Sequence, residues 1–178
     1  LYSSAASDVY KRQIFKVNDE SHARFDAIKR TYEYHIHIKK DAFENETSYQ
    51  FNQALDIEKM NQACAILYKH NDFECFSKVN TDVRTFNCII FQAHWTLGLD
   101  EQSGTNQIEN KIVFTITANR FLRNMVRAIV GTMISVGTEK ISLADFEKII
   151  ESKDRNEAGF SVPAHGLYLT KIEYNHIK

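Results

Sequence analysis

At 178 residues, with 43% hydrophobic and 12% aromatic side chains, the chain has enough apolar material for one well-filled core, which excludes disorder as its default state. Its apolar runs are far shorter than a membrane span, and no charged start leads into an apolar stretch with a cleavage site, so the sequence reads as a soluble, cytoplasmic protein with no membrane partner. A formal charge of −1 does not advertise nucleic-acid binding, and three cysteines without a C-x-x-C pair speak against a disulfide framework or a zinc site. Cys64, Cys75 and Cys88 read as small buried hydrophobes.

Residues 1–13, LYSSAASDVYKRQ, are small, polar and aperiodic. They resemble translated sequencing adapter, with a linker or a disordered terminus as the alternative, and the fold is expected over 14–178. From Arg24, the stretch RFDAIKRTYEYHIHI alternates, setting Tyr32, Tyr34, Ile36 and Ile38 against Thr31, Glu33, His35 and His37. This predicts a long strand with one covered face, and His35 and His37 on a solvated one. Asp56 caps an amphipathic helix running to about His70, with Ile57, Met60, Cys64 and Leu67 at three- and four-residue spacing. Strands follow near 85–96 and 111–118, separated by a hairpin loop at 100–110. A helix is predicted from Phe121 to Gly137, with Gly137 as its left-handed cap. Ser142 starts a shorter helix with Asp145 completing a capping box and Leu143, Phe146, Ile149 and Ile150 facing inward. Pro163 and Gly166 turn the chain into a last alternating strand, 167–174. The fold class is α/β (α+β): a mixed, largely antiparallel sheet flanked by helices, without regular βαβ repetition.

The helix FLRNMVRAIVGTMISVG carries the most information. Leu122, Met125, Val126, Ile129, Val130, Met133 and Val136 form one apolar stripe, while Arg120, Arg123 and Arg127 gather on the other side. Ile134 closes that polar face, so Arg127 is expected at the edge of dry interior, where an unpaired cation is costly. The competing reading is a solvated face whose long side chains cover apolar neighbours. Basic residues also concentrate at Lys11, Arg12 and Lys16 and from Arg24 to Lys40, while acids gather in the C-terminal third. If the fold joins the basic groups, a neutral molecule acquires one positive face.

The sequence contains no glycine-rich phosphate loop, no H-E-x-x-H and no G-x-S-x-G. His35 and His37 lack a third ligand at metal-binding spacing, so no metal is expected. Four blocks in order do stand out: SHARFDAIKRTYEY, NDFECF at 71–76, TANRFLRNMVRAIVGTMISVG at 117–137 and SVPAHGLYLTKIEY at 161–174. Together they resemble the tRNA pseudouridine synthases of the A type, over nearly everything from Ile14 to Tyr174.

That resemblance implies a pseudouridine synthase-like fold, isomerisation of uridine in the anticodon stem-loop of tRNA, a homodimer, and neither cofactor nor metal. It places Tyr32 against the flipped uracil as proton acceptor in the last step, where an extruded base needs a stacking partner; read from the residues alone, Tyr32 is an ordinary strand aromatic, as is Tyr34. It makes Arg127 the partner that holds a catalytic aspartate ionised. Arg24, Arg30, Arg120 and Arg123 would contact phosphates, Phe25 would support the base pocket or pack, and Leu167 would form an apolar wall beside the uracil. The family's aspartate belongs to an R-T-D-x-G-V-H-A block, which these residues lack: Asp8, Asp19, Asp26 and Asp82 have neither its flanks nor its position. The expectation is therefore the C-terminal portion of a synthase, truncated and inactive alone. The alternatives are a non-catalytic RNA-binding protein and a structural domain with solvated arginines.

Overall fold

The computed structural model describes residues 16–79, 83–99 and 108–175. The expected leader and the centre of the expected hairpin loop lie outside them. Among the described residues, five strands form one sheet: β1 (Ala27–His37), β2 (Tyr49–Gln50), β3 (Ile90–Leu99), β4 (Ile108–Ala118) and β5 (Leu167–Tyr174). Three α-helices among the described residues accompany it: α1 (Ile57–Leu67), α2 (Met125–Gly137) and α3 (Leu143–Ser152). The mixed, mostly antiparallel architecture is the one the element order implied.

β1 sits inside the sheet, with β4 antiparallel along one side from Arg30 to His37. On its other side it pairs antiparallel with β5 and then, at Ile36 and His37, in parallel with β2. β3 lies outside β4. The alternation of β1 and β4 places Tyr34, Ile36, Ile112, Phe114 and Ile116 on one face, all buried, where Met60 and Leu67 of α1 and Met125, Ile129 and Met133 of α2 complete the core. The outer edge of β3 is covered by helix side chains that copy a neighbouring strand. Asn61 accepts from Trp95 N–H at 2.8 Å and donates to Trp95 C=O at 3.1 Å, and the Tyr68 hydroxyl accepts from Ala93 N–H at 2.7 Å. An edge strand is thereby blunted without another strand.

Local signals held where the cause was local. Asp56 accepts from Lys59 N–H to cap α1, and Ser142 and Asp145 form both bonds of a capping box at α3. The long-range surroundings produced several corrections. α2 begins at Met125, not Phe121, because Asn124 takes φ 72° and breaks the helical path ahead of it. Gly137 is not the left-handed cap: it is the last helical residue, and Glu139 adopts φ 59°. Gly137 is there for proximity, since a Cβ would collide with Met60 of α1. His37 is not solvated. It is fully buried, with Nδ1 2.6 Å from Ser48 Oγ, because the 41–48 segment folds over that end of β1. β1 starts at Ala27 and β3 at Ile90, a few residues later than the alternation predicted.

Candidate active site

The first block builds a self-contained turn ahead of β1. His22 Nδ1 accepts from the backbone N–H of Arg24 at 3.1 Å and of Phe25 at 3.3 Å, and its ring packs 4.4 Å from that of Phe25. Asp26 accepts from His22 N–H at 2.7 Å, closing the turn, and Tyr174 of β5 donates to Ala23 C=O at 2.8 Å. Arg24 and Phe25 project outward as a result, and Phe25 is 74% exposed with the Arg24 guanidinium 5.7 Å over its ring. Arg30 braces the same turn from β1: it donates to the carbonyls of Ala27, Asn119 and Arg24. Three of its five donors are thus committed to backbone.

The two tyrosines of the block diverge. Tyr34 is fully buried and donates to Pro163 C=O at 2.8 Å. Burial pushes its phenol well above the ordinary range, Tyr49 adds to the rise, and the nearby Arg127 charge acts the other way. Tyr32 is half-buried, opposite Leu169 on β5, with Phe121 edge-on at 5.1 Å and 86°. It lines a recess of about 1030 Å³ together with Arg24, Phe25, Arg30, Arg84, Arg120 and Phe121.

Arg127 and Leu167 lie elsewhere, in a neighbouring recess of about 930 Å³ shared with Lys78, Arg123, Asn124, Arg155 and Phe160. The two recesses flank the segment 120–124, so the three arginines that the helical pattern grouped are divided. Arg120 precedes the helix and turns toward Tyr32, while Arg123 and Arg127 stay together. The 71–76 block explains Lys78. Phe73, Cys75 and Phe76 are fully buried anchors, and the loop after them is fastened by Lys78 N–H to Arg123 C=O at 2.9 Å.

Arg127 is half-buried, and its Nε–H donates to Val162 C=O at 2.5 Å. Among the described residues, every ion pair uses a lysine or a histidine and none uses an arginine. The partner that Arg127 has among the described residues is therefore a backbone carbonyl, that of Val162. Among the described residues, every charged side chain that lines either recess is a cation. Such walls suit a polyanion and would hold a carboxylate ionised. No group of three potential metal ligands occurs among the described residues. Lys78, Arg84, Asn124 and Arg155 were not legible as site residues. Arg155 in particular lies in the acidic third of the chain with no motif around it.

Comparison with known proteins agrees with this geometry. A family model described as tRNA pseudouridine synthase matches residues 63–175. The tRNA pseudouridine synthase A of Parabacteroides distasonis is 48% identical over 167 residues, covering 94% of this chain and 62% of that protein. The protein of the same name from Porphyromonas gingivalis is 48% identical over 167 residues, covering 94% and 63%, and that from Bacillus subtilis 33% over 171 residues, covering 95% and 65%. The chain thus spans somewhat under two thirds of the length of these relatives. With the model matching more than half of its residues, the chain belongs to the tRNA pseudouridine synthase family.

Proposed function

We propose that this chain supplies the RNA-holding walls and two catalytic side chains, Tyr32 and Arg127, of an enzyme that converts uridine to pseudouridine in the anticodon stem-loop of tRNA. The observation that carries the reading is the pair of adjoining recesses in which every charged lining residue, among the described residues, is a cation, on a molecule whose formal charge is only −1. Arg24, Arg120 and Arg123 take phosphates, a positioning role without base information. Arg30 serves the same contact mainly by holding the Arg24–Phe25 turn in place. Phe25 supports the extruded base, and Tyr32, steadied edge-on by Phe121, stacks on it.

Substrate and product are isomers, so no co-reactant is consumed. A carboxylate nucleophile attacks the nucleoside, the N-glycosidic bond breaks, the uracil rotates, and a bond forms from C5 to the ribose as the carboxylate is released and N1 takes up a proton. The proton on C5 leaves last, toward Tyr32. Arg127, its Nε–H committed to Val162, offers its terminal amino groups to the nucleophilic carboxylate and keeps that group charged. Leu167 walls the same recess with apolar surface. The carboxylate itself belongs to an R-T-D-x-G-V-H-A block that is not among these 178 residues, so the chain alone binds RNA without isomerising it. The working enzyme is a cytoplasmic homodimer; no helix among the described residues is long and apolar enough to cross a membrane.

The test is fluorescence anisotropy with an unmodified anticodon stem-loop RNA, alongside tritium release from its C5-labelled uracils. Binding should weaken steeply with salt and fall by at least about tenfold in the double variant Arg24→Glu, Arg123→Glu. Affinity untouched by that double reversal would overturn the RNA reading. Tritium release by the chain alone would overturn the account of its inactivity.

A further inference from the structure

The sequence from Ala158 to Val162 lies along α2 as a strap, tied to it at successive turns. Gly159 N–H donates to Thr132 Oγ1 at 2.9 Å, and Val162 N–H donates to Arg127 C=O at 3.3 Å. Between these points the Phe160 carbonyl rests where a Cβ of Gly131 would be, which accounts for glycine at that position of the helix. Asn124 Nδ2 reaches Ser161 Oγ at 2.5 Å, from a backbone held in the left-handed region at φ 72°. A non-glycine residue in that region costs free energy and persists where its surroundings over-determine it.

The outer side of the strap is held by Arg155, a cation of the recess wall to which the proposed reaction gives no step. Arg155 donates from Nη1 to Ala158 C=O at 3.3 Å and to Gly159 C=O at 3.1 Å, and from Nη2 to Ser161 Oγ at 2.9 Å. Its planar fork spans acceptors on three of the five strap residues, which a lysine ammonium on a flexible stem cannot reproduce. Ser161 Oγ joins this clamp to Asn124, and the next residue, Val162, presents the carbonyl that takes Arg127 Nε–H.

We propose that Arg155 is a positioning residue: through Ser161 and the 158–162 strap it fixes the Val162 carbonyl, and that carbonyl aims the guanidinium of Arg127 into its recess. The catalytic meaning of that aim rests on the function proposed above, but the arrangement itself does not. Arg127 is half-buried, and an acceptor fixed on its Nε–H restricts the directions its guanidinium can take.

The measurement is hydrogen exchange of the Arg127 Nε–H in 1H–15N spectra of the 178-residue chain, the signal being assigned by its disappearance in Arg127→Lys. In Arg155→Met that proton should exchange at least about tenfold faster while the amides of Ile129 to Met133 keep their rates, which separates lost aim from a general loosening of α2. Arg155→Lys should restore little of the protection. Ser161→Ala, a smaller change that removes only the shared oxygen, should speed the same proton and stands in if Arg155→Met fails to fold. An Arg127 Nε–H whose shift and exchange are unchanged in Arg155→Met, or in Ser161→Ala where that stands in, overturns the proposal. So does acceleration shared equally by the helix amides. Neither outcome touches the RNA-binding reading, because no RNA or turnover enters the measurement.

Discussion

Arg127 and Val162 hold each other from both ends: the Val162 N–H donates to the Arg127 carbonyl at 3.3 Å, and the Arg127 Nε–H donates to the Val162 carbonyl at 2.5 Å. A backbone pairing of this kind usually belongs to a sheet, where both groups are main chain. Here one of the two bonds uses the side chain of a helical residue, so the cation at the edge of the core is partly neutralised by a carbonyl dipole and still has charge to offer the recess. The same geometry gives the SVPAHG block a purpose beyond turning the chain into β5.

Replacement of Gly131 and Gly137 by alanine should separate their roles. In a helix interior, Gly→Ala ordinarily gains about 0.5–1 kcal/mol. At Gly131 the new methyl meets the Phe160 backbone, which cannot rotate aside, so Gly131→Ala should lose about 2 kcal/mol net. At Gly137 the obstruction is the flexible ends of Met60 and Leu55, and the net change should be near zero. Urea unfolding measures both, and a stabilised Gly131→Ala would contradict the close approach of the strap.

The tyrosines make a second contrast. Tyr34→Phe removes a buried hydrogen bond and orphans the Pro163 carbonyl, and should cost about 1 kcal/mol in thermal or urea unfolding. Tyr32→Phe should leave stability within about 0.5 kcal/mol, because its hydroxyl has no hydrogen-bond partner among the described residues. Equal losses from both substitutions would show that Tyr32 is as structural as Tyr34.

Acid should weaken the fold through its helix caps. The Ser142 hydroxyl, then the Ser142 N–H, holds the Asp145 carboxyl below its ordinary range, and the Lys59 N–H does the same for Asp56. A carboxyl lowered in the folded state contributes stability that is complete above its ordinary pKa and is lost as pH falls through its folded value. Stability should therefore decline below about pH 4, and Asp145→Ala should flatten that decline. An acid limb equally steep in the variant would rule out the capping carboxylate as its source.

Burial pushes the thiols of Cys64 and Cys75 up to about 12 and that of Cys88 up to about 11. A thiol raised by folding stays protonated after the unfolded chain has begun to ionise, so the three should favour unfolding as pH climbs above about 8.5. At pH 8 a disulfide reagent should modify all three cysteines in urea and essentially none in the folded chain. Rapid labelling of the folded chain would mean that the helix-covered core opens readily.

Much of the secondary structure was legible because its causes lie within four residues. The caps at Asp56 and Ser142 hydrogen-bond to amides three positions on, and the alternation around Tyr34 and the stripe from Met125 to Val136 record which face meets the core. The four blocks also carried the family and pointed to Tyr32 and Arg127. What spacing could not carry was partnership across the chain. Periodicity placed Arg120 beside Arg123 and Arg127, but Asn124 breaks the helical path and sends them to different recesses. It made His37 a surface residue because nothing at that position announces the loop that closes over it. It read Gly137 as a cap, where the close crossing of α1 and α2 decides the residue. Arg127 announced that it needed a partner, but Val162 lies 35 residues away and Arg155 acts on it only through the strap between them. A side chain's need is local chemistry and can be read from the sequence, whereas the group that meets the need is chosen by how the chain returns, which only the tertiary structure decides.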